Sequence, residues 1–164
     1  MKVLLDNLLL EKTLKRMSHE IIEKNENLND LVFVGIKRKG VPIAQKVANN
    51  ILLIENIKID IEEIDITGYR DDEKTSDIDN KFNIDINNKI VVLFDDVLQT
   101  GRTVRSAMDA LVHIGRPKKI QLAILVDRGH RELPIRADYV GKNIPTSISE
   151  SVVYDKDENI VYIK

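Results

Sequence analysis

The amino-acid sequence predicts an α/β domain built around a central, mainly parallel sheet. Nearly continuous apolar runs, typical of strands buried on both faces, occur at Leu31–Ile36, Lys89–Phe94 and Ile120–Val126. Segments with apolar residues at helical spacing lie between these runs, and alternating strands and helices favour parallel pairing. Ligands of such sheets bind beyond the carboxyl ends of the strands, so the loops after these runs are the first candidates for a site.

The first part of the chain contains two predicted helices on either side of a buried strand. The first helix is predicted over residues 6–25, because apolar residues recur at steps of four, three and four: Leu10, Leu14, Met17 and Ile21. A basic loop, Lys37–Gly40, follows the strand at Leu31–Ile36. A second helix is predicted to begin near Pro42, because proline suits a first helical turn, and to run to about Leu53.

The middle of the chain combines a predicted strand with a long polar segment. Near-alternating isoleucines predict a strand between residues 57 and 66. The segment from Thr67 to Asn88 is polar and acidic. Long segments of this kind inside a compact domain are usually functional lids or disordered loops, and we expect one of the two here.

The last part of the chain is predicted to add a helix and a closing hairpin. The helix covers Thr103–Ile114 and is ended by Gly115 and Pro117. The hairpin pairs Val152–Tyr154 with Ile160–Tyr162. Since no internal repeat or linker interrupts the sequence, residues 1–164 are expected to form a single domain.

Composition excludes several classes of function. The chain has no cysteine, which excludes disulfides, thiol catalysis and cysteine-based zinc sites. No apolar run approaches the ~20 residues that cross a bilayer, and no signal peptide is evident, so we expect a cytoplasmic protein without a membrane partner. The net charge is −2, but residues 116–142 carry seven Lys and Arg against three acids. One basic face can bind a polyanion even when the total charge is near zero.

The most informative part of the sequence is the segment Val91–Thr103, which reads VVLFDDVLQTGRT. A buried strand ends in the acid pair Asp95 and Asp96, and a short loop then leads into a helix. The free N–H groups and partial positive charge of a helix start suit a phosphate. Two nearby carboxylates suit ribose hydroxyls or a divalent cation. The segment can therefore hold both ends of a ribose 5-phosphate.

This segment resembles the signature of the type I phosphoribosyltransferases. The resemblance implies a type I phosphoribosyltransferase fold, with a central mainly parallel sheet, flanking helices and a small C-terminal hood. It also implies that Asp95 and Asp96 bind the 2- and 3-hydroxyls of phosphoribosyl pyrophosphate. The Thr100–Thr103 loop would wrap the 5-phosphate.

Three further segments, Met17–Glu23, Asp65–Asp72 and Asp127–Ser147, resemble the PyrR family of pyrimidine operon attenuators with uracil phosphoribosyltransferase activity. The resemblance implies that uracil and phosphoribosyl pyrophosphate react to give UMP and pyrophosphate, with Mg²⁺ as cofactor. Mg²⁺ would arrive with the substrate, and only Asp95 and Asp96 are candidates to touch it. The resemblance also implies a homodimer or a higher homo-oligomer.

The resemblance further assigns residues to the enzymatic site. Lys37–Gly40 takes the place of the pyrophosphate loop, and Arg70 lies in the mobile loop. The catalytic candidates are Lys39, Arg70, Asp95 and Asp96. The candidates for binding phosphoribosyl pyrophosphate or the nucleotide are Arg38, Lys39, Asp95, Asp96, Val97, Leu98, Gln99, Thr100, Gly101, Arg102, Thr103, Arg128 and Val152.

A second activity implied by the resemblance is UMP-dependent binding of a stem-loop in the leader of pyrimidine operon messenger RNA. The candidate contacts are Arg16, His19, His130, Arg131, Arg136 and Lys142. Two alternatives stay open at this point. One is a purine phosphoribosyltransferase, which needs a pocket for a two-ring base, and the other is an RNA-binding regulator that keeps the nucleotide site only as a sensor.

Overall fold

A computed structural model describes residues 1–67 and 81–164. The elements follow one another as β1 (Lys2–Leu5), α1 (Asn7–Lys24), a 3₁₀ turn (Leu28–Asp30), β2 (Leu31–Ile36), α2 (Gly40–Glu55), β3 (Asp60–Ile64), β4 (Ile90–Leu98), α3 (Arg102–Ile114), β5 (Lys119–Asp127), β6 (Tyr139–Asn143), β7 (Val152–Asp155) and β8 (Ile160–Ile163). Among these residues, no helix has the length and apolarity needed to cross a bilayer.

Five parallel strands form the central sheet in the order β3-β2-β4-β5-β6. Leu93 at its centre pairs with Val34 on one side and Leu122 on the other. One face packs against α1 and α2, where the rings of Phe33 and Phe94 lie 4.7 Å apart. The other face packs against α3. The predicted α/β class and the type I phosphoribosyltransferase layout are confirmed.

The hood is a separate antiparallel sheet in the order β1-β8-β7. The predicted hairpin β7–β8 is confirmed. The hood does not come from the C-terminal segment alone, because the N-terminal strand β1 forms its third strand. Val3 pairs with Tyr162 across β1 and β8. With four residues and only Leu5 buried, β1 is too short to show a sequence pattern.

Two strand boundaries differ from the predicted ones. β4 continues through the acid pair to Leu98, because β5 is equally long and pairs with it up to Asp127. β3 covers only Asp60–Ile64, because it lies at the sheet edge and pairs with β2 over that stretch alone. The edge strand β6 was not predicted, since Tyr139 is its only fully buried residue.

The described part of the polar segment is packed onto the sheet. Phe82, Ile84 and Ile86 contact the core on the α3 side. The carboxylate of Glu62 accepts hydrogen bonds from the backbone N–H groups of Asn83 and Ile84, at 2.9 and 3.2 Å. Residues 81–88 are therefore a connection held to the sheet. Arg70 lies outside the described residues.

Candidate active site

The acid pair lies in the last part of β4, where the strand meets the hood. Asp95 is only 8% exposed, and its Oδ1 accepts the N–H of Asp96 at 2.9 Å. Asp96 is half-buried, and its Oδ1 accepts the N–H of Val97 at 2.8 Å. Burial, followed by the neighbouring charge of Asp96, raises the pKa of Asp95 well above its ordinary value. Hydroxyl donors or a cation at this position would favour the ionised carboxylate.

The phosphate loop, Gln99–Gly101, connects β4 to α3 in three residues. Gly101 adopts a φ of 93°, a left-handed conformation that favours glycine, and the helix begins at the next residue. The hydroxyl of Thr100 accepts the N–H of Arg102 at 3.2 Å. Since the remaining N–H groups of a first helical turn have no partner within the helix, this geometry suits a phosphate group.

The segment after β5 holds the phosphate loop from outside. The carbonyl of Thr100 accepts two backbone hydrogen bonds, from Glu132 and Leu133, each at 3.0 Å. A Cβ on Gly101 would lie 2.9 Å from the Ile135 side chain. Part of the segment predicted as an RNA surface is therefore the scaffold of the phosphate loop.

A cavity of about 300 Å³ joins these elements, a size typical of small-ligand sites. The walls come from the end of β4, the phosphate loop, the start of α3, the residue after β5, the end of the 144–151 segment and the start of β7. The lining residues are Asp95, Val97, Leu98, Gln99, Thr100, Gly101, Thr103, Val104, Arg128, Ser151 and Val152. The structure thus brings most of the predicted nucleotide-site residues together around one space, from two different sheets.

Arg128 is buried at the rim of this cavity, with 6% of its surface exposed. The guanidinium donates to Oγ1 of Thr146 at 2.9 Å and to the carbonyl of Ser147 at 2.8 Å. Both acceptors belong to residues 144–151, the strap that leads into β7. Arg128 therefore fixes the strap at the rim of this cavity.

The basic loop after β2 faces a second cavity, of about 650 Å³, which includes Lys37 and Arg38. Lys39, half-buried, precedes α2 as its N-cap residue. A Cβ on Gly40 would lie 2.2 Å from the carbonyl oxygen of Phe94. The absence of a side chain at Gly40 therefore allows α2 to start directly against β4.

Residues that the sequence did not indicate also belong to these cavities. Lys156, from the turn of the hood hairpin, lines the second cavity with Lys37 and Arg38. Ser151 lines the first. Neither residue has a signal in the sequence, because Lys156 belongs to the hood and Ser151 to the strap, and both reach the strand ends only through folding.

Magnesium would have to be held jointly by the protein and a ligand. Within residues 1–67 and 81–164, no three acidic, histidine or cysteine side chains converge as a metal cage. Mg²⁺ commonly binds through one or two carboxylates together with substrate phosphates and waters. Asp95 and Asp96 supply such a donor set, so the residues fit a cation that enters with its substrate.

The predicted RNA contacts differ in how far their side chains are hydrogen-bonded within the protein. Arg16 donates to the carbonyls of Gly141 and Val140 at the edge strand β6 and pairs with Glu20. Nε2 of His130 lies 2.5 Å from the carbonyl of Thr146. Arg131 is bound to the phosphate loop. Arg131 is half-buried, whereas the other five members of the set, Arg16, His19, His130, Arg136 and Lys142, are exposed.

Comparison with known proteins decides the family. The chain matches the model of the phosphoribosyl transferase domain over residues 1–159. It is 54% identical over 160 residues to the bifunctional protein PyrR of Clostridium kluyveri, covering 95% of this chain and 90% of that protein. It is 52% identical over 170 residues to the bifunctional protein PyrR of Clostridioides difficile, covering 98% and 96%. The chain belongs to the PyrR family of phosphoribosyltransferases.

Solved structures agree at the level of the fold. The hypoxanthine phosphoribosyltransferase of Trypanosoma cruzi in complex with IMP gives a TM-score of 0.77 at 19% identity, covering 100% of this chain and 90% of that one. The Staphylococcus aureus hypoxanthine phosphoribosyltransferase gives 0.74 at 25% identity, covering 90% and 80%. Membership of the PyrR family confirms the predicted phosphoribosyltransferase enzyme class.

Proposed function

We propose that this PyrR-family protein transfers a phosphoribosyl group to uracil and, with UMP bound, controls pyrimidine genes by binding a stem-loop in their leader RNA. The cavity that joins Asp95, the phosphate loop, Arg128 and Val152 supports the enzymatic half most directly. The bifunctional PyrR proteins that share over half of its residues support the pairing of the two activities. We further propose that the protein acts as a homodimer or a higher homo-oligomer.

The ribose 5-phosphate would be held at both of its ends. The phosphate loop and the start of α3 bind the 5-phosphate through N–H and hydroxyl donors. Asp95 and Asp96 accept hydrogen bonds from the 2- and 3-hydroxyls. With both ends held, the ribose would have one position in the cavity, and C1 would be fixed for the reaction.

The reaction breaks the bond between C1 and the pyrophosphate oxygen, and its electron pair leaves with the pyrophosphate. N1 of uracil forms the new bond to C1 and loses its proton. Arg38 and Lys39 stabilise the negative charge that develops on the leaving group. Asp95 and Asp96 would hold a Mg²⁺ ion that enters with the substrate, and the ion would neutralise phosphate charge.

The base would lie between the phosphate loop and the hood. Val152 offers main-chain groups for in-plane hydrogen bonds to a pyrimidine. Arg128 holds the strap over the same space, through Thr146 and Ser147.

The enzymatic proposal is tested by incubating the protein with phosphoribosyl pyrophosphate, Mg²⁺ and either uracil or hypoxanthine. We expect UMP to form from uracil and no IMP from hypoxanthine. The variant Asp96→Asn should retain the fold by circular dichroism and lose affinity for phosphoribosyl pyrophosphate. Product from hypoxanthine alone would contradict the pyrimidine assignment and favour the purine alternative.

The regulatory proposal is tested by measuring the affinity for a pyrimidine leader stem-loop with and without UMP. We expect UMP to tighten binding, whereas an unchanged affinity would contradict the attenuation model. UMP-dependent binding together with no turnover of uracil would identify a regulator that uses the cavity only as a sensor.

A further inference from the structure

The guanidinium of Arg131 makes four hydrogen bonds within the protein, although the residue lies in a loop. Nη1 donates to the carbonyl of Gln99 at 2.9 Å and to Oδ1 of Asp127 at 3.0 Å. Nη2 donates to Oδ2 of Asp127 at 2.6 Å, and Nε donates to the carbonyl of Ile135 at 2.8 Å. Each of its three nitrogens therefore has an acceptor, and one of these acceptors is the first residue of the phosphate loop.

We propose that Arg131 is a positioning residue of the phosphate loop, holding Gln99–Gly101 in the shape that receives the 5-phosphate. This role rests on the proposed use of the cavity for a phosphoribosyl ligand. Asp127 is the last residue of β5 and pairs with Leu98 at the end of β4. Arg131 thus ties the loop directly to the rigid end of the sheet.

The rest of the loop depends on the same segment. Glu132 and Leu133 donate to the Thr100 carbonyl, and Ile135 packs against Gly101. Arg131 sets the course of this segment by binding the carbonyl of Ile135. A shift of Arg131 would therefore displace the scaffold of the loop as well as Gln99 itself.

The positive charge of Arg131 does not by itself account for its four hydrogen bonds. A lysine has one nitrogen in place of three and lacks the planar fork that matches a carboxylate. It cannot span Asp127, Gln99 and Ile135 together. If Arg131 instead acts by presenting charge to RNA phosphates, lysine should replace it well. The two roles make opposite predictions for one conservative substitution.

The side chain also differs from its exposed neighbour in the same loop. Only 26% of the Arg131 side chain is exposed, whereas Arg136 is an exposed residue. Arg131 has its donors turned toward the protein, while Arg136 is open to a phosphate of an RNA ligand. The structure thus separates two arginines that the sequence placed in one group.

The test compares Arg131→Lys and Arg131→Ala with the unaltered protein, using ribose 5-phosphate, UMP and uridine as probes in calorimetry. We expect both variants to lose affinity for ribose 5-phosphate and UMP by roughly tenfold or more, the scale of a hydrogen bond to a charged group. Affinity for uridine, which has no 5-phosphate, should change little. Since ribose 5-phosphate has no base, its loss supports the role of Arg131 whichever base is the substrate.

Two further variants keep the test falsifiable. Asp127→Asn removes the ion pair but leaves the Gln99 contact, so a smaller loss in the same direction is expected. Arg116→Ala, an exposed arginine at the opposite end of β5, should leave all three affinities unchanged. Unaltered affinity for the two phosphate ligands in Arg131→Lys, with only RNA binding reduced in Arg131→Ala, would overturn the proposal.

Discussion

At the scale of single residues, Asp95 shows how function opposes stability. The carboxyl is almost completely buried beside Asp96, so its ionised form has lost most of its hydration and faces a like charge. The result is the raised pKa of Asp95. Removing this carboxylate would stabilise the folded chain, but the proposed function requires it for binding ribose hydroxyls and a cation.

We therefore predict that Asp95→Asn is more stable than the unaltered protein at neutral pH, while it loses affinity for phosphoribosyl pyrophosphate. Below about pH 3.9, the ordinary pKa of aspartate, Asp95 is protonated in both the folded and the unfolded chain, and the variant has no advantage. As the pH rises, the unfolded chain ionises first, and the unaltered protein loses stability relative to the variant.

Thermal unfolding between pH 4 and pH 8 checks this prediction. The difference in Tm should grow with pH, at roughly 2–4 °C for each kcal/mol in a chain of this size. A variant that is less stable than the unaltered protein at pH 8 would contradict it.

Arg128 is predicted to affect the base more than the phosphate. Arg128→Lys cannot keep both hydrogen bonds to Thr146 and Ser147, so the strap beside the base should loosen. We expect the KM for uracil to rise about tenfold and the KM for phosphoribosyl pyrophosphate to change little. Thr146→Val removes one of the two acceptors and should give a smaller effect in the same direction. Equal increases in both KM values would contradict this division.

At the scale of elements, the sequence predicts helices and strands best where burial imposes a regular pattern of apolar residues. The residues Leu10, Leu14, Met17 and Ile21 are all fully buried on α1, as their spacing predicts. The continuous apolar runs correspond to β2, β4 and β5. β1 and β6 were missed because short strands at a sheet edge bury too few residues to impose a pattern.

The candidate site likewise divides into features that a local sequence pattern predicts and features that only folding brings together. The acid pair and the phosphate loop are contiguous in sequence, so a motif identifies them. Arg131 lies far along the chain, and its sequence context gives only its charge. That it turns inward to Gln99 and Asp127 follows from the packing of one loop on another, which no local pattern encodes.

The junction of α2 and β4 supplies a prediction at this scale. In Gly40→Ala the added Cβ would meet the Phe94 carbonyl, a backbone atom, so α2 must move away from β4. We expect about 1–3 kcal/mol of lost stability, as for overpacking in a core, and reduced turnover because Arg38 and Lys39 move with the helix start. Denaturant unfolding and steady-state kinetics measure the two effects.

Gly129→Ala is the matched control for this substitution. Gly129 has a φ of 82°, but a Cβ there has no atom within 4 Å among the described residues. It should lose only the ~1 kcal/mol of a left-handed alanine. Full turnover in Gly40→Ala would contradict the link between the helix start and the basic loop.

At the scale of the whole molecule, the cavity lined by Asp95, the phosphate loop and Val152 lies between the two sheets. The parallel sheet supplies the acid pair and the phosphate loop, and the hood supplies Val152. The segment Asp127–Arg131 begins at the last residue of β5 and contacts both sides of the cavity. Arg131 binds the phosphate loop, whereas Arg128 and His130 bind the strap. A ligand that orders the loop and the strap therefore acts on the segment that also leads to the exposed Arg136.

This arrangement predicts how RNA binding should respond to salt. The net charge is −2, so affinity for RNA must come from a local basic surface. Each phosphate that the protein neutralises adds about 0.7–0.9 to the steepness with which log K falls as log salt rises. We expect Arg136→Ala and Lys142→Ala each to reduce the slope by that amount, with UMP affinity unchanged.

Arg131→Ala should weaken RNA binding chiefly by removing the tightening that UMP gives. Salt titrations with and without UMP measure both effects, and Arg116→Ala serves as the control for lost charge. An unchanged slope in both Arg136→Ala and Lys142→Ala would place the RNA on another face of the protein.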